Sequence, residues 1–112
     1  MQTTSSPTQI IQELQRLIQE NQRGNNALYD AEIELADAEA ELDRIENKAF
    51  IARDGTVADR TALARLEANE VRLKRDLKRI ERDRIKQKIR AIESAMTGTQ
   101  TMSKMLDLES RI

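Results

Sequence analysis

The chain has 112 residues, of which 35% are charged and 2% aromatic, and its formal net charge is −1. That length holds one small domain, and so little aromatic bulk argues against a compact globular core. With no Cys and no His, disulfides, thiol chemistry, the common zinc sites and imidazole acid–base catalysis are excluded.

An Ala/Glu/Leu/Arg-rich chain with heptad periodicity predicts long helices in a coiled coil rather than disorder. No apolar run approaches the ~20 residues that span a bilayer. The polar start, Met1 to Thr8, lacks the basic and apolar regions of a secretory signal. A cytoplasmic location is expected. The near-zero net charge gives no global pull toward nucleic acid, so any such contact needs a local patch.

Residues 1–6 read as a disordered N-terminus ending in a helix cap. Ser6 is the N-cap, Pro7 the first helical residue, and Gln9 stands at capping-box spacing. The first helix is predicted over 7–53. Its seam is Ile10, Leu14, Leu17, Asn21, Gly24, Leu28, Ala31, Leu35, Ala38, Leu42, Ile45, Ala49 and Ala52, in alternating steps of three and four. The cluster Gly24-Asn25-Asn26 raises the alternative of two helices. One continuous helix is favoured, because the frame passes through the cluster unbroken and an interior Gly costs only ~1 kcal/mol relative to Ala.

The turn is predicted at Asp54, Gly55 and Thr56, with Gly55 in a left-handed conformation. Thr56 caps the next helix, and Asp59 stands in its first turn. So short a connection sends the second helix back antiparallel. That helix is predicted over 57–97, with Leu63, Leu66, Leu73, Leu77 and Ile80 as its seam and Glu70 in a core position. After Ile80 the apolar set becomes Ile85, Ile89, Ile92 and Met96, which reads as a stutter. Gly98 is expected to end the helix, and Thr99 to cap a short amphipathic third helix within 99–112. The fold class is thus all-α: a long antiparallel two-helix coiled-coil hairpin with a short C-terminal helix, assembling into a helical bundle.

Apolar positions collect at the end away from the turn. Ile10, Ile11, Ile18, Ile85, Ile89, Ile92 and Met96, with Met102, Met105 and Leu106, are expected to form a homo-oligomer contact. The alternative is that the third helix folds back over that end within one chain. Tyr29 and Phe50 are expected at the hairpin surface or an interface.

Charge is asymmetric. Residues 30–46 are acidic and lie opposite 64–80, while the basic run extends from Arg72 to Arg90. Arg72, Arg75, Arg79, Arg82, Lys86 and Arg90 follow at helical spacing and form a candidate nucleic-acid-binding stripe. The plainer reading is a solvated face that salt-bridges to the first helix. No aromatic interleaves the stripe to stack bases.

Gly24, Gly55 and Gly98 are too far apart for a phosphate loop. A thin hairpin offers no water-excluding pocket to pair carboxylates for catalysis. No catalytic residue, metal site, cofactor or small-molecule substrate is expected. Asp54 at the tip reads as a turn residue.

The stretches KAFIARDGTVADR (Lys48 to Arg60) and IRAIESAMTGTQTMSKM (Ile89 to Met105) resemble small, highly charged helical proteins of tailed bacteriophages. Those proteins are often encoded near replication or single-strand-annealing recombination genes. The resemblance implies a phage accessory protein of the host cytoplasm, with DNA, a recombinase or a host protein as partner. It carries no catalytic motif. Two functions follow as expectations: an oligomeric accessory of DNA replication or recombination that uses its basic face, or a structural or adaptor coiled coil that binds no nucleic acid.

Overall fold

The computed structural model describes residues 6–111; Met1 to Ser5 of the expected disordered N-terminus and Ile112 of the expected third helix lie outside the described residues. Three helices follow in order: α1 Pro7–Ile51, α2 Val57–Glu67 and α3 Asn69–Ser110. No strand occurs among the described residues. The chain is all-α, a helical hairpin. Its contacts divide into two units, one made by the stretch up to Ala27 with Ile85 onward, the other by Leu28–Arg84.

The start of α1 is capped reciprocally. The Gln9 amide donates to Ser6 Oγ at 3.2 Å, and the Ser6 amide donates to Gln9 Oε1 at 2.9 Å, so two free helix-end donors are satisfied at once. α1 then continues through Gly24 without a break. Its predicted seam is the buried one: Ile10, Leu17, Ala31, Leu35, Ala38, Leu42 and Ala49 are all buried.

In the first unit, Ile89 and Ile92 of α3 join Ile10 and Leu17 in the core. Gly24 belongs to this packing, because a Cβ added there would stand 2.9 Å from Ile89 Cγ1. Asn21, one seam position earlier, has a buried Oδ1 with no hydrogen-bond partner. An unpaired buried carbonyl is penalised by about 1–3 kcal/mol. Asn21→Leu is therefore expected to raise stability by about 1–2 kcal/mol, read as a higher thermal midpoint.

The turn opens earlier than predicted. α1 stops at Ile51 rather than Arg53, and Arg60 takes up a carbonyl at its end, beside a long bond from the Arg53 amide at 3.5 Å. Arg60 Nε and Nη2 donate to the Phe50 carbonyl at 3.1 and 3.0 Å, and its guanidinium lies 4.1 Å from the Phe50 ring centroid. A side chain thus satisfies a terminal carbonyl that another helical turn would otherwise take. Gly55 has φ +117°, as expected. Thr56 caps α2, its hydroxyl accepting from the Asp59 amide at 3.1 Å. Arg60→Met, which keeps the stem and removes the donors, is expected to destabilise the hairpin by about 1–2 kcal/mol in urea unfolding.

The returning helical segment departs from prediction at two places. Helix is interrupted at Ala68 (φ −85°, ψ 6°), where none was expected. Arg72 Nη1 bridges the interruption, donating to the Arg65 carbonyl and to Asn69 Oδ1, each at 3.2 Å. Conversely, no helix begins at 99: α3 passes through Gly98 to Ser110, so the boundary at 97–99 is corrected. Space around Gly98 is open, and its φ is not positive. Nothing there opposes helix beyond the modest penalty of an interior Gly. Thr99, expected as a cap, instead donates from its hydroxyl to the Ala95 carbonyl at 2.9 Å.

Candidate functional site

The second unit, Leu28–Arg84, carries two contrasting faces on its returning helix. Counting back from buried Ile92 and Ile89 in steps of three and four gives Ile85, Arg82, Lys78, Arg75, Val71, Ala68 and Ala64. Ala68 is wholly buried, Ala64 is buried, and the others in the unit are half-buried. This is the inner face, and its phase is unbroken along α3. The predicted stutter is therefore absent; it was two different faces of one helix read as a single seam.

The predicted seam of the second helix is the outer face. Leu66, Leu73, Leu77 and Ile80 are 67%, 60%, 57% and 56% exposed, and Leu63 is also exposed. In heptad geometry these positions lie on the side away from the inner seam. The swap has a physical cause. Residues 30–46 of α1 are acidic, so Arg and Lys facing them gain partners, while alanines at 31, 38, 49, 64 and 68 let the helices approach closely.

The basic stripe lies beside that inner seam rather than away from the hairpin. Arg72 Nη2 meets Glu46 Oε1 at 2.5 Å, Lys78 meets Glu34 at 3.0 Å and Arg79 meets Glu39 at 3.8 Å. Arg53 pairs with Glu67 across the turn end of the same unit. Arg75 and Arg82, both half-buried, bind their neighbours Asp76 and Asp83 at 2.7 and 2.8 Å. These pairs are partly exposed, and each contributes little to stability alone. They do occupy the cations. In the first unit, Lys86 and Arg90 join no ion pair among the described residues.

The expected oligomer residues divide. Ile10, Ile89 and Ile92 are buried within the chain; Ile85, Met96 and Leu106 are half-buried. Ile11, Ile18, Met102 and Met105 are exposed. Pro7, Ile10 and Ile11 line a groove with Ser103 and Leu106, so the end of α3 packs beside the start of α1. At the turn, Asp54, Gly55 and Thr56 are exposed, and Phe50 is half-buried under Arg60 while Tyr29 is exposed.

Electrostatics give the hairpin a pH window. Hydrogen bonding from Arg16 holds the Glu13 carboxyl below the usual carboxylate range, and Arg44 does the same for Glu41. Hydrogen bonding to Glu34 raises the Lys78 ammonium. The lowered acids stabilise the fold above their unfolded pKa, and that contribution is lost as pH falls through the lowered values. The raised lysine contributes below its unfolded pKa, and its share is lost as pH rises through the raised value. A thermal-unfolding series should therefore plateau from about pH 5 to 10 and decline outside it.

No helix among the described residues is long and apolar enough to cross a membrane. Comparison with protein-family models, curated proteins and solved structures finds no match. Sequence periodicity located every residue of the outer face but placed it inside. The signal that would have corrected this is the heptad count back from Ile92, together with the acidic stretch it brings opposite Arg75 and Lys78.

Proposed function

We propose that this chain is a non-enzymatic structural or adaptor coiled-coil protein, which acts by docking a helix on the outer face of α2 and α3. The observation that carries this reading is the row Leu66, Leu73, Leu77 and Ile80, each more than half exposed on one face. Isolated exposed leucines are ordinary, but a row at helical spacing, interrupted by one residue, Glu70, is the pattern of a protein contact. Pairing of Arg72, Lys78 and Arg79 with α1 carboxylates points the same way, since phosphates would have to displace those partners.

A second reading, DNA contact by a phage-type replication or recombination accessory, draws on Lys86, Lys88 and Arg90 of the first unit, which stay out of the ion pairs found among the described residues. Titration of labelled single- and double-stranded DNA at low and moderate salt separates the two. The docking reading expects no salt-sensitive binding. It also expects a photo-crosslinking residue in place of Glu81, at the rim of the row, to give protein adducts in the producing cell. Steeply salt-dependent binding lost on Lys86→Glu/Lys88→Glu/Arg90→Glu would establish the DNA reading; no protein adduct at all would overturn the docking one.

A further inference from the structure

We infer that the outer leucine face pairs antiparallel with the same face of a second copy of this chain, about a two-fold axis passing between residues 71 and 72. The inference rests on the docking reading above and names its partner. In the second unit the large apolar side chains stand mostly outside: the inner seam is rich in alanine, while Leu63, Leu66, Leu73, Leu77 and Ile80 are exposed. A face about 26 Å long at 1.5 Å per residue, buried on both copies, removes on the order of 1,000 Å² from water, the lower limit for a specific interface.

The row is its own complement when reversed. A two-fold between residues 71 and 72 sets Leu63 opposite Ile80, Leu66 opposite Leu77, and Glu70 opposite Leu73. Sliding one heptad in either direction places Arg84 or Asp59 against a leucine. One acid interrupts the row, Glu70, and it fixes the orientation. A parallel pair would bring two Glu70 carboxylates into one layer, where like charges repel. In the antiparallel pair, Lys74 of the second copy lies one residue along from the level of Glu70, within reach of its carboxylate, and the contact occurs twice by symmetry. Lys74 is exposed, lines a groove with Asp37 and Glu41 of α1, and joins no ion pair among the described residues. A shallow groove lined by Asn69, Glu70, Arg72, Leu73 and Asp76 lies at the level of the axis, where the second Leu73 would pack on its counterpart and on the Arg72 stem.

Light scattering with far-UV circular dichroism on the full chain tests this. The wild type is expected to be a dimer at tens of micromolar. Leu73→Lys/Leu77→Lys alters exposed positions and should yield a monomer of unchanged helicity. Glu70→Lys and Lys74→Glu should each weaken dimerisation at least tenfold, and the swap of both should restore it to within a few-fold. Glu70→Leu should tighten it. A monomeric wild type, a dimer that survives Leu73→Lys/Leu77→Lys, or a swap without rescue would overturn the inference. A monomeric wild type whose residue-81 crosslinker captures a different protein would overturn the second copy alone and leave the docking reading standing. No adduct of any kind would remove both.

Discussion

Ile89→Ala should destabilise the hairpin by about 3 kcal/mol, within the range for emptying a buried aliphatic site. Ile89 is buried in the first unit, and its Cγ1 occupies the space that a Cβ on Gly24 would need. The two residues act as one knob and one hole. Gly24→Ala alone should be close to neutral: helix propensity gains about 1 kcal/mol, and crowding of Ile89 offsets it. In the Ile89→Ala background the same change should stabilise, because the new methyl enters the vacated space. Urea unfolding of the four proteins in this cycle should give a coupling of about 1 kcal/mol. Additivity within a few tenths would mean that the close approach of Gly24 and Ile89 has no energetic consequence.

Ala68→Leu should be similarly damaging, at about 2–3 kcal/mol. Ala68 is fully buried at the interruption between α2 and α3. In sequence it lies between Glu67, which pairs with Arg53 of the turn, and Arg72, which pairs with Glu46 of α1. An isobutyl group there has to push α1 away, which lengthens both ion pairs and separates the small-residue seam. Ala68→Gly should cost less, about 1 kcal/mol, through backbone entropy and one lost methyl. If Ala68→Leu unfolds at the wild-type midpoint, the close packing of the helices at this level is not a source of stability.

These two sites illustrate why part of the fold was readable from residues alone. Seam positions on α1 keep one frame from Ile10 to Ala49, with only Asn21 and Gly24 not apolar in character, and no other face of that helix offers a comparable row. Its caps are local chemistry as well: Ser6 with Gln9, and Thr56 with Asp59, need only a few neighbouring residues to form. The candidate interaction surface was not readable in the same way. Its leucines were visible, but which side they occupy depends on a competitor face containing Arg75, Lys78 and Arg82, which scores poorly by hydrophobicity.

By itself, then, the order of residues determined an all-α chain, the reversal around Gly55, the buried stripe of α1 and the capping at both starts. Each follows from interactions within a few residues or from one dominant period. Tertiary packing alone decided that α3 runs through Gly98, that helix yields at Ala68, and that Arg75, Lys78 and Arg82 turn inward while the leucines turn outward. The physical reason is that a helix with two usable stripes has no intrinsic preference between them. The partner surface chooses, and here an acidic, alanine-rich α1 accepts guanidinium and ammonium groups at close range and leaves Leu66, Leu73, Leu77 and Ile80 to whatever docks from outside.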